Sequence, residues 1–245
     1  MSTEIMGNSD ESLMFLLHEI KTPVNVIYGF SQLLLEDTCT EKDHLFYTQM
    51  IIKASEQLMS SLDELISYCK GEEKNKLYET FFDSGRTIDA LYQLYKPIAA
   101  RKGLMLKKIL SGCQSGVFLL SNEQILKRIL ENLLSNAIKY TENGTVEFGC
   151  KVSAKRQVTF FVRDTGIGIK PEDLSQIFKL FYRTPDAIKN NINGTGLGLA
   201  IVCRLSKLLG TKIRTESEYG KGSHFWFNLG ITPKSGTNRC LLPSS

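Results

Sequence analysis

A histidine and a glutamate stand side by side in the stretch LLHEIKTPVN, residues 16–25. Imidazole is largely unprotonated near neutral pH, so His18 can act as a nucleophile if one ring nitrogen is kept deprotonated. Glu19 is the natural hydrogen-bond partner to orient the ring and accept its proton. Pro23 has no N–H and predicts a helix kink beside this pair. A structural histidine in a helix core is the alternative, and the stretch alone does not decide between the two.

A second polar set lies in ENLLSNAIKYT, residues 131–141. Its polar and aromatic residues are spaced at intervals of four, three and one, at Asn132, Asn136, Lys139 and Tyr140. On a helix these positions lie on one side, and the leucines lie on the other. Asparagine packs poorly in an apolar core, so polar groups that face one way need a partner. We therefore expect a ligand on this side, with a solvated helix face as the alternative.

An aspartate and two glycines form the third motif, RDTGIGI, in which Asp164 is followed by Gly166 and Gly168. A carboxylate at a strand end, followed by glycines whose backbone can approach closely, suits a planar ligand. A simple turn would have the same residues, because Gly-x-Gly by itself is weak evidence.

Three glycines precede an apolar run in NGTGLGLAI, at 194, 196 and 198. Glycines before a helix expose backbone N–H groups, and the helix dipole favours anions there. The pattern is neither GxxxxGK[ST] nor GxGxxG, and a hinge is the alternative. Between Gly168 and Gly194 lies a polar segment containing IFKLFYRT, which is long enough to act as a lid.

The elements that carry these motifs differ between the two halves of the chain. From Asp10 to Tyr68 the apolar residues follow heptads, at Leu13, Ile20, Ile27 and Leu34, then at Leu45, Ile52, Met59 and Ile66. This pattern predicts a hairpin of two long helices. Two helices make a thin core, so we expect a homodimer with a four-helix bundle. If Leu13 is heptad position a, His18 falls at position f on the solvent face, which favours the chemical role.

The second half mixes helix and strand patterns. Helices are predicted at 84–101, 121–140 and 195–209, and strands at 104–110, 146–152, 158–162, 212–217 and 223–230. The predicted fold class is therefore an all-α helical hairpin followed by an α+β two-layer sandwich. The predicted domains are 1–71 and 77–231, joined by the charged stretch KGEEKNKLYE at 70–79, with a tail at 232–245.

Composition excludes several classes of protein. The 245 residues carry 30 basic and 26 acidic side chains, an excess too slight and too dispersed for a nucleic-acid groove or a membrane anchor. Six cysteines without a CxxC pair predict reduced thiols. No apolar run approaches the ~20 residues that span a bilayer. We expect a cytoplasmic chain, an excised catalytic core or the end of a longer membrane-anchored or soluble sensor, without nucleic-acid or membrane contact of its own.

The order of the motifs resembles the ATP-binding domain shared by gyrase-type ATPases, Hsp90-type chaperones, MutL-type repair proteins and sensor histidine kinases. HEIKTP narrows the resemblance, and residues 10–230 look like a HisKA-type histidine kinase core. The resemblance implies that His18 takes the γ-phosphoryl group of ATP and passes it to an aspartate of a response regulator. It also implies that Thr22 positions a water for dephosphorylation of that regulator.

The resemblance implies roles in nucleotide binding as well. Asp164 would accept from the adenine amino group, Asn136 would bind Mg²⁺, and Asn132 would contact phosphate or its water. Lys139 would pair with phosphate and Tyr140 would stack near adenine. The remaining expected nucleotide contacts are Gly166, Gly168, Arg183, Gly194, Thr195, Gly196, Leu197 and Gly198.

Two other functions stay open at this point, a hydrolysing ATPase and a nucleotide-binding dimerisation scaffold. ATPases of this superfamily carry a glutamate four residues before the metal-binding asparagine, where this chain has Asn132. Glu131 is adjacent but about 100° round the helix. Without a positioned base, water is a poor competitor for the phosphoryl group, which favours a kinase.

Overall fold

The structure, a computed structural model, describes residues 20–35, 40–69, 79–113, 117–153, 157–190, 192 and 194–231. The chain divides into two compact units, Met1–Glu72 with Lys179–Leu197, and Glu73–Phe178 with Gly198–Ser245. His18 and Glu19, most of the predicted linker and the predicted tail lie outside the described residues. The predicted domain boundaries therefore stay predictions.

The first unit contains the predicted helical hairpin. Helix α1 is described over residues 20–33 and continues through the buried Pro23, and α2 spans Glu41–Cys69. A capping box begins α2, since the Thr40 N–H donates to Asp43 Oδ2 (3.1 Å) and the Asp43 N–H donates to Thr40 Oγ1 (3.3 Å). Each bond satisfies a backbone donor that the first turn of a helix would otherwise leave unpaired.

Three of the predicted seam residues of α2 lie at the surface of the single chain. Leu45, Ile52 and Met59 are 63%, 53% and 61% exposed, and they follow one another at intervals of seven. Val24 on α1 is also exposed. This is an apolar stripe of the spacing that lets helices pack together in a bundle.

The second unit is built on a five-stranded sheet with the order β2-β4-β5-β7-β6. Its strands are β2 (Met105–Ser111), β4 (Thr145–Ser153), β5 (Gln157–Asp164), β6 (Arg214–Glu218) and β7 (Gly222–Gly230). Strands β2 and β4 pair in parallel and the other pairs are antiparallel. A separate two-stranded sheet joins β1 (Thr80–Asp83) to β3 (Phe118–Ser121).

Helices α3 (Ser84–Arg101) and α4 (Glu123–Tyr140) pack on this sheet, and α6 (Gly198–Leu208) packs on α4. Helix α4 contacts β4, β5, α3 and α6. Its buried residues are the seven apolar ones that the helical period predicts, Leu126, Ile129, Leu130, Leu133, Leu134, Ala137 and Ile138. Each large apolar side chain buried in this way contributes roughly 1.5–3 kcal/mol. The predicted two-layer α+β arrangement is confirmed.

The strand faces also follow the predicted alternation. The β4–β5 hairpin pairs Phe148 with Val162 and Cys150 with Phe160, and all four side chains are buried. Phe160 stacks on Phe227 of β7 with ring centroids 5.5 Å apart. This apolar face lies under the helices and fixes the register of the hairpin.

Some elements differ from the sequence prediction. Strands β1 and β3 are not predicted, because four residues are too few to show an alternation. The helix predicted at 195–209 begins at Gly198, since Gly196 has φ +74° and cannot continue a right-handed helix. The helix predicted at 121–140 begins at Glu123, because Asn122 is its N-cap and accepts from Ile125 N (3.0 Å). A short helix, α5 (Pro185–Lys189), lies inside the predicted lid.

Across the ranges that the structure describes, no helix combines the length and apolarity needed to cross a bilayer. Cys113, Cys150 and Cys203 are free thiols, as the cysteine pattern predicts for them. Cys113 and Cys150 are buried.

Candidate functional site

Asp164 ends strand β5 and is buried, with 7% of its surface exposed. One of its oxygens, Oδ1, accepts from the backbone N–H groups of Gly166 (2.9 Å) and Ser223 (3.2 Å). Burial raises the pKa of Asp164 to about 6, against the opposing effect of these two donors. A carboxylate is thus held in a low-dielectric position and remains mostly ionised at neutral pH.

The two glycines after Asp164 pack the chain against itself. A Cβ at Gly166 would lie 2.5 Å from the carbonyl oxygen of Tyr140, the last residue of α4. Gly168 has φ +66°, and a Cβ there would lie 2.1 Å from the carbonyl oxygen of Glu218. We expected these glycines to admit a ligand. In this structure a side chain at either position would overlap the backbone, at the end of α4 for Gly166 and at the end of β6 for Gly168.

The β6–β7 hairpin holds the other side of Asp164. Ser217 Oγ accepts from Ile169 N (2.8 Å), donates to the carbonyl oxygen of Gly222 (2.8 Å), and lies 3.0 Å from Ser223 Oγ. Gly222 has φ +119°, and a Cβ there would lie 2.0 Å from the carbonyl oxygen of Asp164. The sequence interpretation missed these residues, although glycines before a strand in EYGKGS, residues 218–223, are a signal for such a close approach.

Asp164, Ser217, Gly222 and Ser223 line an open groove. The charged and titratable residues that also line it are Arg163, Glu216, Glu218, Lys221 and His224. Arg163 pairs with His224 in the β5–β7 register, and Glu216 pairs with His224 in the β6–β7 register. Because side chains alternate along a strand, Arg163, Glu216, Glu218 and His224 project to the face of the sheet opposite Asp164 and Ser223, whereas Lys221 lies in the turn between β6 and β7.

Asn132 and Asn136 lie side by side against the first residue of α6. A Cβ at Gly198 would be 3.3 Å from Asn132 Oδ1 and 3.5 Å from Asn136 Nδ2. Asn132 Nδ2 donates to the carbonyl oxygen of Arg128 (2.8 Å), which orients its amide. The two amides therefore face the backbone at a helix N-terminus, where the dipole favours anions.

Lys139 and Tyr140 complete the polar side of α4. Both are partly exposed, and Lys139 Nζ lies 5.2 Å from the centroid of the Tyr140 ring. The C-terminal carbonyls of this helix are capped by Lys102 Nζ, which donates to Ile138 O (2.7 Å) and Lys139 O (2.8 Å). This capping steadies the end of α4 that also contacts Gly166.

Part of the segment predicted as a lid, from Lys179 onward, belongs to the first unit and forms hydrogen bonds within it. Phe181 has φ +62° and its N–H donates to Gly196 O (3.1 Å), and a Cβ at Gly196 would lie 2.6 Å from the Phe181 carbonyl carbon. Arg183 Nη2 donates to Ile192 O (2.7 Å). Thr195 and Leu197 are buried, and Leu197 N donates to Thr195 Oγ1 (3.2 Å). Gly194 is partly exposed.

The predicted site residues therefore fall into three groups. Asp164, Gly166 and Gly168 with the polar side of α4 and Gly198 belong to the second unit. Arg183 and residues 194–197 belong to the first unit, in which Thr22 is an exposed residue of α1. His18 and Glu19 lie outside the described residues.

Comparison with known proteins identifies both parts of the chain. The family model of the His Kinase A (phospho-acceptor) domain matches residues 11–74. The model described as histidine kinase-, DNA gyrase B- and HSP90-like ATPase matches residues 121–233. Together the two matches extend over most of the chain.

Individual relatives match most of the chain. The signal transduction histidine-protein kinase BarA of Escherichia coli K12 is 33% identical over 229 residues, which are 90% of this chain and 24% of BarA. Full-length ShkA, solved in complex with AMPPNP, is 28% identical with a TM-score of 0.66, over 92% of this chain and 46% of ShkA. Histidine kinase ThkA, solved in complex with the response regulator TrrA, has a TM-score of 0.73 over 95% of this chain and 64% of ThkA. At 22% identity, ThkA shows the fold alone.

The chain spans about a quarter of the length of the curated relatives it matches. Within that span it contains a phospho-acceptor domain followed by an ATP-binding domain, in the order expected from HEIKTP and the asparagine and glycine motifs. The chain therefore contains the two domains that these family models describe, and its homologues are sensor histidine kinases.

Proposed function

We propose that this chain is the catalytic core of a two-component kinase, which transfers the γ-phosphoryl group of ATP to His18 and then to an aspartate of a response regulator. The observation that carries the proposal is the arrangement in the second unit. Paired amides of Asn132 and Asn136 lie at the N-terminus of α6, and the buried carboxylate of Asp164 stands in the same unit. These are groups for the phosphates and for the base of one nucleotide.

Asp164 is proposed to recognise adenine. Both backbone donors that hold its carboxylate bind Oδ1, so the orientation of the carboxylate is set without use of Oδ2. An ionised carboxylate accepts hydrogen bonds and donates none. It therefore suits the exocyclic amino group of adenine.

The polar side of α4 is proposed to hold Mg²⁺ and the phosphates. Among the residues described, no three His, Cys, Asp or Glu side chains cluster as metal ligands. A divalent ion would therefore combine the amide oxygen of Asn136 with phosphate oxygens and water, as Mg²⁺ commonly does. Asn132 and Lys139 would contact phosphate or its water, and Tyr140 would lie near the base.

The lid segment is proposed to complete the phosphate site. Gly194, Thr195, Gly196 and Leu197 would bring backbone N–H groups to the phosphates. Arg183 is proposed to reach the γ-phosphate. Its Nη2 group now donates within the lid, and its Nε is buried with no hydrogen-bond partner among the described residues, so the guanidinium has donors to offer after a rearrangement.

The phosphoryl transfer is proposed to be a direct displacement. A ring nitrogen of His18 attacks the γ-phosphorus, the bond to the bridging oxygen breaks, and ADP leaves with the electron pair. Glu19 takes the proton from the other ring nitrogen. Thr22, which is exposed on α1 and follows His18 by four residues in the sequence, is proposed to position a water when the phosphorylated regulator is hydrolysed.

The partner in the helical unit is proposed to be a second copy of the chain. The exposed stripe of Leu45, Ile52 and Met59 has the heptad spacing of a bundle seam, and its burial in a dimer would complete the core. A response regulator is the proposed phosphate acceptor. The solved complex of ThkA with TrrA supports this partner class by fold similarity alone.

Hydrolysis of ATP by water is less well supported by the geometry. The amide of Asn132 cannot act as a base, and it stands where an ATPase would have its glutamate. Burial raises the pKa of Glu131, and the Tyr95 hydroxyl on α3 donates to the backbone carbonyl of Glu131 (3.3 Å). Asn132 and Asn136 instead face α6. Glu131 therefore lies toward α3 and away from the proposed phosphates.

Incubation with γ-labelled ATP and Mg²⁺ tests the proposal. We expect acid-labile, alkali-stable label on the wild type and none on His18→Gln or Asn136→Ala. His44→Gln, which changes an exposed histidine of α2, is the matched control and should label normally. Label that survives His18→Gln would overturn the assignment of the acceptor, and phosphate release without any labelled protein would indicate an ATPase.

A further inference from the structure

The hydroxyl group of Ser217 has all its hydrogen-bonding capacity committed. A hydroxyl has one proton to donate and two lone pairs that accept. A carbonyl oxygen cannot donate, so the bond to Gly222 O (2.8 Å) uses the proton of Ser217. The Ile169 N–H occupies one lone pair at 2.8 Å. The contact with Ser223 Oγ at 3.0 Å is then a bond in which Ser223 donates and Ser217 accepts.

This arrangement decides what the hydroxyl of Ser223 can do in the groove. Its only proton is directed at Ser217, so toward any ligand Ser223 Oγ is an acceptor. Ser223 is buried, and its backbone N–H holds the carboxylate of Asp164. The groove beside Asp164 therefore presents two acceptors close together, a carboxylate and a hydroxyl oxygen. Two acceptors favour a ligand group that donates twice and disfavour a carbonyl oxygen.

We propose that Ser217 is the positioning residue that makes this site select a purine with a 6-amino group over one with a 6-carbonyl group. It acts through Ser223, because it accepts the hydrogen bond that the Ser223 hydroxyl donates. It also acts through Ile169 and Gly222, because its bonds to them connect the loop after Asp164 to strand β7. The inference rests on the proposed binding of ATP at Asp164. It adds a residue that does not touch the nucleotide.

The other charged and titratable groups near this site do not supply the same selectivity. Arg163 on β5, Glu216 and Glu218 on β6 and His224 on β7 alternate with Asp164, Ser217 and Ser223 and project from the other face. Lys221 in the turn pairs with Glu218 at 2.6 Å. Among the strand residues that line the groove, the polar side chains on the Asp164 face are therefore Asp164 and the two serines.

Binding of ATP and of inosine triphosphate tests the proposal, because the two differ at position 6 of the purine, where an amino group is replaced by a carbonyl with a proton on N1. In Ser217→Ala the Ser223 proton is free to turn toward a carbonyl. We expect the ratio of ATP to inosine triphosphate affinity to fall roughly fivefold or more, the size of one hydrogen bond gained or lost. Ser217→Thr keeps the hydroxyl and should keep the ratio.

Thr211→Val is the matched control. Thr211 Oγ1 also ties a residue before β6 to strand β7, donating to Asn228 O at 2.7 Å, but at the far end of the strand from Asp164. A purely structural loss weakens both nucleotides equally and leaves the ratio unchanged. We expect that result for Thr211→Val, and the same result for Ser217→Ala would overturn the proposal.

A double-mutant cycle shows whether Ser217 acts through Ser223. Ser223→Ala removes the acceptor and should also lower the ratio of ATP to inosine triphosphate affinity. Adding Ser217→Ala to that variant should lower this ratio no further. Full additivity of the two changes would contradict the proposed route. If Ser217→Ala does not fold, Ser217→Thr and Ser223→Ala still test the proposal. A lowered affinity ratio in Ser217→Thr would overturn it, and so would an unchanged affinity ratio in Ser223→Ala. A wild type that binds neither nucleotide overturns the proposed function itself, which is a different result from binding with an unaltered ratio.

Discussion

Asp164→Asn should make the ATP-binding unit more stable at neutral pH while it abolishes nucleotide binding. Asn retains an oxygen to accept from Gly166 and Ser223, so both backbone bonds survive. What is lost is a buried negative charge. The amide nitrogen of the asparagine, which replaces Oδ2, is a hydrogen-bond donor. It would face the amino group of adenine, which is also a donor, so the two could not bond.

The magnitude follows from the pKa of the carboxyl group. Burial raises the pKa of Asp164 from 3.8 to about 6, a shift of about two pH units that corresponds to about 3 kcal/mol. Below pH 3.8 the carboxyl is neutral in both the folded and the unfolded chain, and it costs nothing. Between pH 3.8 and 6 the unfolded chain ionises first, so folding loses stability as the pH rises. Above pH 6 the wild type bears the whole cost and Asn bears none.

Urea unfolding followed by tryptophan fluorescence measures this difference. Trp226 is the only tryptophan in the chain and lies on β7, so its emission reports the unit that contains Asp164. We expect Asp164→Asn to raise the free energy of unfolding by about 3 kcal/mol at pH 7.5, with the gain vanishing near pH 4. Glu172→Gln, at an exposed carboxylate, should show no such gain. A variant that is less stable at pH 7.5, or whose gain does not depend on pH, would refute the reasoning.

Other substitutions and one chemical probe test further contacts. Gly222→Ala should lower the free energy of unfolding by more than about 3 kcal/mol, because its Cβ would overlap Asp164 O. Gly220→Ala, which has a positive φ but open space around it, should lower it by about 1 kcal/mol. Equal losses measured by urea unfolding would contradict this prediction. Asn122→Ala should lower the same free energy by about 1 kcal/mol through the lost N-cap of α4, and Asn122→Ser should restore most of it. Cys203, which is partly exposed, should react with a thiol reagent in the native protein well before Cys150, whose pKa is raised by contact with a neighbouring thiol and by burial. Mass spectrometry of tryptic peptides measures the order of reaction, and earlier labelling of Cys150 would contradict the prediction.

The parts of this fold that sequence patterns predict are those with a strong period. Helix α4 has seven apolar residues at helical spacing, and all of them are buried. The β4–β5 hairpin follows from strict alternation, since a slip of one residue would turn Phe148 and Phe160 away from the core. Burial of one face decides both elements, and this information is local in the sequence.

Contacts between distant segments are less accessible to sequence patterns. The bond of Ser217 to Ile169 joins residues 48 positions apart, and neither residue type signals it. Gly166 and Gly168 are conspicuous in the sequence, but their contacts with the ends of α4 and β6 depend on tertiary packing. The resemblance implies that Arg183 contacts the nucleotide, and in the structure its guanidinium donates to Ile192 within the lid.

The central claim is that phosphate from ATP reaches His18, and one peptide tests it directly. Trypsin should release residues 1–21 as a single peptide, because Lys21 is the first lysine or arginine, and His18 is the only histidine in it. After incubation with Mg²⁺ and ATP, mass spectrometry at alkaline pH should find one phosphoryl group on His18, removed by mild acid. An unmodified peptide alongside phosphate on His44 or His224, or on no histidine, would contradict the account.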